Sequence, residues 1–510
     1  MEQGSGTILI DTLQDPAVYE HPVQHFQVIE THISWVLLTG LYAYKIKKPV
    51  DLGFLDFSTL AKRRHYCEEE LRLNQRLAPE LYLAVIAITG TVSQPALDGS
   101  GPAIEYAVKM REFAQSAQLD RALSRGELHS EHIVQLAAAV ARFHARAAVA
   151  GTDSPFGDTA AVWQPAGENF AQIRPHLDTE QDRDLLDRLQ SWSAQTHARL
   201  ANLWQLRKEA GFIRECHGDM HLGNMALIDD KILIFDCLEF NERLRWIDVM
   251  SEVAFVTMDL QDRGRPGLAH RFLNDYLQHS GDYQGLSVLR FYQVYRALVR
   301  AKVACLRLAQ EGLSAAQRDD IRGHYRQYLR LAEHYTHSAP TPLIITHGLS
   351  GSGKTTISDV LLECSGAIRI RSDVERKRLF GLSSTARSGS AVAADLYSPE
   401  ANHQTYQHLA ALARSIISAG FAAIVDAAFL KRSQREQFHR LADDLQVPFV
   451  IFHCDAPIDL LRQRIEQREM RGRDPSEATL QVLEHQLLTQ DPLHTDEADN
   501  IFTVNAGNRG

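Results

Sequence analysis

The chain has 510 residues, a length that predicts roughly two to four folding units and excludes a single small module. Hydrophobic residues make up 45% and charged residues 23%, which is typical of a globular protein and excludes a largely disordered one. The net charge of −10 disfavours non-specific binding to nucleic acid or to an anionic membrane surface. Six scattered cysteines without a C-x-x-C pair predict neither a disulfide framework nor a zinc cluster and favour a cytoplasmic protein.

The N-terminal part begins without a basic segment or a long apolar run, so we predict no secretory signal. Residues 26–48 alternate in the manner of strands, with a turn at Thr39 and Gly40. A helix is predicted over residues 59–77, and further strands follow up to Phe113. These elements predict a β-rich lobe over about residues 1–112.

Helix formers dominate the next part of the chain. The pattern predicts helices over residues 130–149, 178–211, 268–280, 286–310 and 315–337. A helical lobe over residues 113–338 is therefore expected, and with the preceding lobe it predicts an α+β domain.

Within this lobe, residues 217–224 read His-Gly-Asp-Met-His-Leu-Gly-Asn and precede an apolar strand that ends before Asp236. Phosphoryl transfer from ATP needs a carboxylate that orients the attacking hydroxyl and oxygen ligands that hold Mg²⁺. Asp219 suits the first role, and Asn224 and Asp236 suit the second, because their spacing follows H-R-D-x-x-x-x-N plus D-F-G. A zinc site at the two histidines is disfavoured, because glycine replaces the glutamate of H-E-x-x-H. A polar turn with buried histidines would leave the spacing unexplained.

Such a site also needs a lysine that holds the α and β phosphates and a helical glutamate that holds the lysine. Strand alternation places Lys45 and Lys47 on one face and Lys48 on the other, which disfavours Lys48. We predict Lys45 paired with Glu70, and Lys47 remains an alternative phosphate ligand. The neighbouring candidates for the glutamate are Glu68 and Glu69.

By its H-G-D-x-H-x-x-N loop, the first domain resembles the aminoglycoside phosphotransferase and choline kinase group over roughly residues 25–310. The resemblance implies a bilobal protein kinase-like fold. It also implies Asp219 as catalytic base, Asn224 and Asp236 as magnesium ligands, and His217 as a brace for the loop.

The chain departs from the kinase pattern before Lys45, where no G-x-G-x-x-G loop is present. The strand pair instead turns through residues 30–34. We therefore expect the γ-phosphate to be covered by this turn, through Ser34 and backbone N–H groups.

Two prolines at residues 340 and 342 mark a predicted boundary, which divides the chain into residues 1–338 and 339–510. After it, strands are predicted over residues 343–347, 367–371, 421–426, 448–453 and 501–504. Their alternation with helices predicts an α/β domain with a five-stranded parallel sheet.

Residues 348–355 match G-x-x-x-x-G-K-[ST] and follow the first of these strands directly. Glycines let backbone N–H groups face phosphate oxygens, Lys354 reaches the β and γ phosphates, and the Thr355 hydroxyl binds Mg²⁺. The predicted ATP-binding residues of this loop are Gly348, Ser350, Gly351, Ser352, Gly353, Lys354, Thr355 and Thr356.

Two carboxylates follow predicted strands of the same sheet. We assign Asp373 as the base that accepts the hydroxyl proton and Asp426 to the magnesium side, while a helix-capping role remains open for either. Arginines then cluster over residues 462–473. Arg464 and Arg468 share one helical face and are predicted to close over the transferring phosphoryl group, with a solvated face as the alternative.

This second part resembles the small P-loop kinases, including gluconate kinase, chloramphenicol phosphotransferase, zeta-toxin kinases and the kinase domain of polynucleotide kinase. The resemblance rests on the 348–355 loop, Ser372 with Asp373, and residues 425–429. The tandem resembles a bacterial family of phosphotransferase-like domains fused to P-loop ATP-binding domains of the AAA type.

Together these patterns predict a bifunctional ATP-dependent phosphotransferase with two ATP·Mg²⁺ sites and small-molecule hydroxyl acceptors. A nucleotide-sensing regulator without transfer is the first alternative, and a nucleic-acid end kinase in the second domain is another. No membrane partner is expected.

Overall fold

The structure is a computed structural model that describes residues 3–53, 55–308, 312–337, 341–382, 398–471 and 479–505. The chain divides into two compact units. The first comprises residues 1–171 and 194–259, and the second comprises residues 172–193 and 260–510. No described helix is both long enough and apolar enough to cross a membrane.

An antiparallel sheet forms the N-terminal part of the first unit, as the alternating sequence predicts. Its spatial order is β1-β2-β3-β6-β4-β5, and Lys45 on β3 pairs with Val36 and Val108. One face packs under the first helix through Leu9, and the other packs under the second helix through Cys67. The strands are β1 (Gln27–Glu30), β2 (Ser34–Leu38), β3 (Tyr42–Lys47), β4 (Tyr82–Thr91), β5 (Gln94–Leu97) and β6 (Ala103–Arg111).

Helices make up most of the chain between this sheet and residue 336. The helix over Leu60–Asn74 begins after Thr59, whose side chain accepts a hydrogen bond from the Lys62 N–H. The helices up to residue 336 are α1 (Gln3–Thr12), α2 (Leu60–Asn74), α3 (Leu119–Ser124), α4 (Ser130–Arg146), α5 (Thr159–Ile173), α6 (Glu180–Arg199), α7 (Ala201–Glu209), α8 (Glu242–Arg245), α9 (Val249–Asp262), α10 (Pro266–Ser280), α11 (Leu286–Leu308) and α12 (Ala315–Thr336). Short strands β7 (Ile213–Glu215), β8 (Met225–Ile228), β9 (Lys231–Ile234) and β10 (Trp246–Asp248) lie among them.

Several of these helices differ from the sequence expectation, and the shorter helices α1, α3 and α8 were not predicted. The predicted helix over residues 178–211 is divided at Leu200 into α6 and α7. Helix α5 was not predicted, because Pro165 lies inside it. Helix α9 was not predicted either, because it is buried on nearly all sides and its apolar run has no clear helical period.

The second unit contains the predicted parallel sheet, with spatial order β12-β13-β11-β14-β15. Register pairs such as Ile344 with Ile424 and with Val450 confirm that its neighbouring strands are parallel. The strands are β11 (Leu343–His347), β12 (Ile368–Arg371), β13 (Ala423–Asp426), β14 (Phe449–Asp455) and β15 (Ile501–Asn505). The helices are α13 (Lys354–Ser365), α14 (Ser372–Leu379), α15 (Pro399–Ser418), α16 (Arg432–Leu445), α17 (Ile458–Arg471) and α18 (Leu480–Thr489).

Helix α10 packs at the edge of this sheet, beside β12. The Asn274 side chain donates to the Ala367 carbonyl at 3.1 Å and accepts from the Arg369 N–H at 2.7 Å. Arg271 adds ion pairs of 2.5 Å to Asp359 and 2.9 Å to Glu363 on α13. The amide side chain therefore satisfies backbone groups that an edge strand leaves without a neighbouring strand.

Candidate functional site

In the first unit, two lysines on β3 meet carboxylates from α2 and from the segment after β9. Lys45 Nζ lies 2.7 Å from Glu70 Oε1 and 2.5 Å from Asp236 Oδ1. Lys47 Nζ lies 2.7 Å from Glu70 Oε2 and forms a second ion pair with Glu239. The Lys47 side chain is 1% exposed, whereas that of Lys45 is 12% exposed and contacts Asp236. Of the two lysines, Lys45 is therefore the more accessible one.

The lysines and carboxylates of this cluster change one another's pKa values. Burial acts to lower the pKa of Lys45, but attraction to Asp236 and Glu70 raises it above its ordinary value. Burial raises the pKa of Glu239, against the attraction of Lys47. The Lys45 ammonium consequently stays charged at neutral pH.

The loop over residues 217–224 brings the predicted base and one metal ligand together. Asn224 Nδ2 donates to Asp219 Oδ2 at 2.9 Å and to the Asp219 carbonyl at 3.0 Å. The side chains of Asp219 and Asp236 are 33% and 45% exposed, so both carboxylates remain accessible. Asp236 has a φ of 63°, an uncommon backbone conformation that aims its side chain from the end of β9.

His217 lies beneath this loop and is fully buried. Its Nε2 donates to the Phe235 carbonyl at 2.9 Å, and its Nδ1 accepts from the Asp219 N–H at 3.3 Å. Burial lowers the pKa of His217, which keeps the ring neutral and suits this pair of bonds. The ring thus links the residues before Asp236 to the backbone of Asp219.

The turn between β1 and β2 is the segment predicted to cover the γ-phosphate in place of a glycine-rich loop, which the sequence lacks before Lys45. Ser34 is 2% exposed, and its hydroxyl lies 2.9 Å from the Thr31 hydroxyl. The Thr31 N–H donates to the Ser34 carbonyl at 2.9 Å and closes the turn. The Ser34 hydroxyl therefore stabilises the turn itself.

In the second unit, the 348–355 loop connects β11 to α13. Gly348 has a φ of 146°, and a Cβ atom there would lie 2.4 Å from the Cys454 carbonyl oxygen. Ser352 Oγ is buried and has no hydrogen-bond partner. A crowded glycine and an unpartnered buried hydroxyl both fit a loop that binds the phosphates of a nucleotide.

Polar side chains around the loop converge on the start of α13. Lys354 Nζ donates to the carbonyls of Gly348 at 2.9 Å and Leu349 at 2.7 Å. Thr355 Oγ1 donates to Asp426 Oδ2 at 3.0 Å. Thr355 and the buried Asp426 thus offer neighbouring oxygens for a magnesium ion.

The remaining predicted residues of this unit lie in several places. Asp373 is in the first turn of α14 rather than at a strand end, and its Oδ1 lies 3.9 Å from Arg376 Nη1.

The predicted arginines lie on α17, which contacts the 348–355 loop. Arg464 Nη1 donates to the Gly351 carbonyl at 3.2 Å. The Arg468 side chain lies outside the described residues. Thr356 is exposed, the Ser350 N–H donates to Gln486 Oε1, and Gly353 begins α13 with a φ of 94°.

Comparison with known proteins identifies both parts of the chain. Residues 55–292 match the model of the phosphotransferase enzyme family, and residues 343–493 match that of an AAA domain. Two uncharacterized proteins, from Mycobacterium tuberculosis (strain H37Rv) and Mycobacterium bovis, are each 32% identical over 451 residues. Those alignments cover 88% of this chain and 88% of each relative.

The chain belongs to the family of these mycobacterial proteins. It is an ATP-dependent kinase that carries a phosphotransferase domain followed by an AAA domain. The predicted fold class, a kinase-like domain followed by a P-loop domain with a parallel sheet, is thereby confirmed.

Solved structures with similarity to the chain include kinases of both kinds. Amicoumacin kinase hAmiN, in complex with AMP-PNP, Ca²⁺ and Ami, aligns with 65% of this chain and 96% of its own at 11% identity and a TM-score of 0.41. Choline kinase from Cryptosporidium parvum Iowa II covers 65% and 96% at 10% identity, with a TM-score of 0.39. A gluconokinase from Sinorhizobium meliloti 1021 covers 34% and 86% at 17% identity, with a TM-score of 0.25.

Several residues of the phosphotransferase domain site were missed by sequence reasoning. Glu252 on α9 accepts from the Gly218 N–H at 2.5 Å and bonds His144 at 2.9 Å. Asp259 on the same helix accepts from the Leu222 N–H at 2.8 Å. The two acids are seven residues apart in an apolar run, a spacing of two helical turns that could have revealed them. Both carboxylates stabilise the 217–224 loop by accepting hydrogen bonds from its backbone N–H groups.

The buried group of His144, Cys216 and Glu252 also has the residue types of a metal site. Hydrogen bonds already join His144 to Glu252 and Gly218 to Glu252. This group is therefore accounted for as support for the loop.

Proposed function

We propose that the chain is a bifunctional phosphotransferase that moves the γ-phosphoryl group of ATP to hydroxyl groups of small molecules at two separate ATP·Mg²⁺ sites. The observation that supports this proposal is that the chain has two separate clusters of suitable side chains, with Lys45 beside Asp236 in one domain and Thr355 beside Asp426 at the 348–355 loop in the other. We also propose that the boundary between the two domains lies between residues 338 and 339. The protein is proposed to act in the cytoplasm.

In the phosphotransferase domain, Lys45 holds the α and β phosphates and Glu70 keeps the lysine in place. Asn224 and Asp236 would hold Mg²⁺, which would neutralise charge on the phosphate oxygens. The acceptor hydroxyl oxygen attacks the γ-phosphorus, its proton passes to Asp219, and the bond to the bridging oxygen of ADP breaks. The Asn224 side chain orients the Asp219 carboxylate for this transfer through its 2.9 Å hydrogen bond.

In the AAA domain, the backbone of the 348–355 loop and Lys354 hold the phosphates. Thr355 and Asp426 would hold Mg²⁺, and their 3.0 Å hydrogen bond keeps the two oxygens next to each other. Asp373 accepts the proton of the second acceptor. Arg464 contributes positive charge beside the loop, where charge develops as the phosphoryl group leaves ADP.

The test uses the full-length chain, a library of small hydroxyl compounds and γ-labelled ATP. We expect Asp219→Asn to abolish transfer to one set of acceptors and Lys354→Ala to abolish transfer to another. The double variant is expected to be inactive on both sets. Transfer that survives in the double variant contradicts the proposal.

The nucleotide-sensing alternative makes a different prediction in the same experiment. If both sites bind ATP by calorimetry while no acceptor is labelled, the chain is a sensor rather than a bifunctional transferase. The nucleic-acid alternative receives no support from the described part of α17, where Arg462 pairs with Glu484 at 2.8 Å. Labelling of oligonucleotide ends would favour it instead.

A further inference from the structure

A cavity of about 510 Å³ lies beside helix α2 in the phosphotransferase domain. Charged side chains from α2 and from the segment that follows Asp236 line most of its wall. None of them belongs to the phosphate, metal or base groups assigned above. Those used below are His65, Glu69, Arg72, Glu239, Glu242 and Arg245.

One carboxylate, that of Glu215, contacts both arginines that line the cavity. Glu215 is 8% exposed at its side chain and lies 2.8 Å from Arg72 Nη2 and 3.3 Å from Arg245 Nε. Arg76 adds a third guanidinium at 3.2 Å from the same carboxylate. Burial acts to raise the pKa of Glu215, but the hydrogen bond from Arg72 and the charges of the arginines lower it. One buried negative charge thus orients three positive ones.

On the cavity side, the carboxylates of Glu69 and Glu242 balance the remaining positive charge of the arginines. Glu69 lies 2.8 Å from Arg72 Nη2 but 3.5 Å from Arg245 Nη2, and Glu242 lies 3.3 Å from Arg245 Nη2. The Glu242 side chain is 66% exposed, and that of Arg72 is 47% exposed. The Glu69 carboxylate binds Arg72 through two hydrogen bonds, of 3.0 Å from Nε and 2.8 Å from Nη2, and remains in place. The exposed Glu242 makes a single hydrogen bond from Arg245, whose side chain is 2% exposed, so Glu242 is the carboxylate that an anion with better geometry can replace.

We propose that this cavity binds the phosphate group of a small molecule at a site separate from both ATP sites. The phosphate accepts hydrogen bonds from Arg72 and Arg245, displaces the Glu242 carboxylate, and leaves Glu215 as the buried support. Planar guanidinium groups that are already oriented suit a phosphate because they donate paired hydrogen bonds. His65 on the same wall adds a further donor.

Two residues that line the cavity, Glu239 and Glu69, connect it to the proposed ATP site. Glu239 forms the ion pair with Lys47, which also binds Glu70. Glu69 precedes Glu70 on α2, so a change in its contacts acts on the helix that positions Lys45. Binding of phosphate in the cavity is therefore expected to change the affinity of the phosphotransferase domain for ATP.

Calorimetric titration of the full-length chain with inorganic phosphate tests the proposal without relying on turnover. Both nucleotide sites are first saturated with a non-hydrolysable ATP analogue and Mg²⁺, and ionic strength is held constant with chloride. We expect saturable binding of phosphate that Arg72→Gln weakens by about tenfold or more. Glu242→Gln should instead tighten it by about threefold, because a competing carboxylate is lost.

Arg64→Gln is the matched control. Arg64 lies on the same helix, pairs with Glu68 at 2.8 Å and is 58% exposed, but it does not line the cavity. We expect its affinity for phosphate to equal that of the parent. If the parent shows no saturable binding, or if Arg72→Gln and Glu242→Gln match it, the proposal is wrong. Because Glu242 is exposed, its variant retains the fold and keeps the test decisive if Arg72→Gln is unstable.

A second measurement follows the coupling to the ATP site. The affinity for the ATP analogue is measured with and without saturating phosphate, in a Lys354→Ala background that removes the second nucleotide site. We expect a shift in the parent background that is absent in Arg72→Gln. A shift of equal size in both would mean that phosphate acts at the ATP site itself and would overturn the proposal.

Discussion

The two candidate sites of this kinase are built from different materials. The site in the phosphotransferase domain is made of side chains from β3, α2, the 217–224 loop and the end of β9. The site in the AAA domain is made mostly of backbone from one continuous loop between β11 and α13. Charges in the first come from residues separated by 191 positions, as for Lys45 and Asp236.

The difference teaches where each site is sensitive. In the first site, removing Lys47 leaves the buried Glu239 carboxylate without its ion-pair partner, which is costly. The second site is sensitive to any added atom that fills the space of its turning glycines, because backbone N–H groups must face the phosphates. Four predictions test this contrast, from the largest expected effect to the smallest.

Asp219→Asn is expected to lower the turnover of the phosphotransferase domain by about 10²- to 10⁴-fold, because the amide cannot accept the hydroxyl proton. Nucleotide affinity should change little, since Lys45 and the metal ligands remain. Measurement of kcat and KM for the first set of acceptors checks this. Asp230→Asn, whose side chain is 96% exposed, is the control and should leave the rate unchanged.

Lys47→Met is expected to destabilise the phosphotransferase domain by about 3–5 kcal/mol, because Glu239 is left as a buried charge without a partner. The double variant Lys47→Met with Glu239→Gln should recover much of that loss, since neither remaining side chain is charged. Denaturant unfolding of the four proteins of this cycle measures the coupling. Additive effects would show that the two side chains do not stabilise each other.

Gly348→Ala should weaken nucleotide binding in the AAA domain by about 10²-fold, because the added Cβ would lie 2.4 Å from the Cys454 carbonyl oxygen. The phosphotransferase domain should keep its affinity. Gly323→Ala on α12 is the control, since a Cβ there meets nothing within 4 Å. Equal nucleotide affinity in Gly348→Ala and Gly323→Ala would show that the loop accommodates a Cβ atom at position 348 and would contradict this prediction.

The folding stability of the AAA domain at acid pH should depend on His347, the residue before the 348–355 loop. Burial first, and then the charge of His453, lower its pKa from 6.5 to about 3. Unfolded histidine binds a proton below about pH 6.5, whereas the folded one does not, so stability falls as the pH drops through this window. At pH 5 the loss is about 2 kcal/mol.

His347→Asn should remove that part of the pH dependence. Hydrogen exchange of the β11 amides between pH 7 and pH 5 measures it, and the slope with pH is expected to become shallower by up to one proton. His403→Asn, an exposed histidine on α15, serves as the control. An unchanged slope in His347→Asn would assign the acid sensitivity to other groups.

Much of the fold was predictable because it depends on local patterns. The alternation of residues 26–48 predicts β1 to β3, and strand-helix alternation after residue 342 predicts the parallel sheet. The loop at residues 348–355 was recognisable because its glycines and Lys354 are adjacent in the chain. Helix α9 was not recognisable, because a fully buried helix loses the polar face that gives the helical period.

The sequence by itself determined which residue types are available for phosphate, metal and proton transfer. It did so because those groups occur at short, fixed spacings, as with Asp219 and Asn224. Only the tertiary structure decided that Lys45 rather than Lys47 contacts Asp236, and that Glu252 on α9 supports the Gly218 amide. These contacts join residues far apart in the chain, and their choice depends on packing and on the burial of charge, which no local spacing encodes.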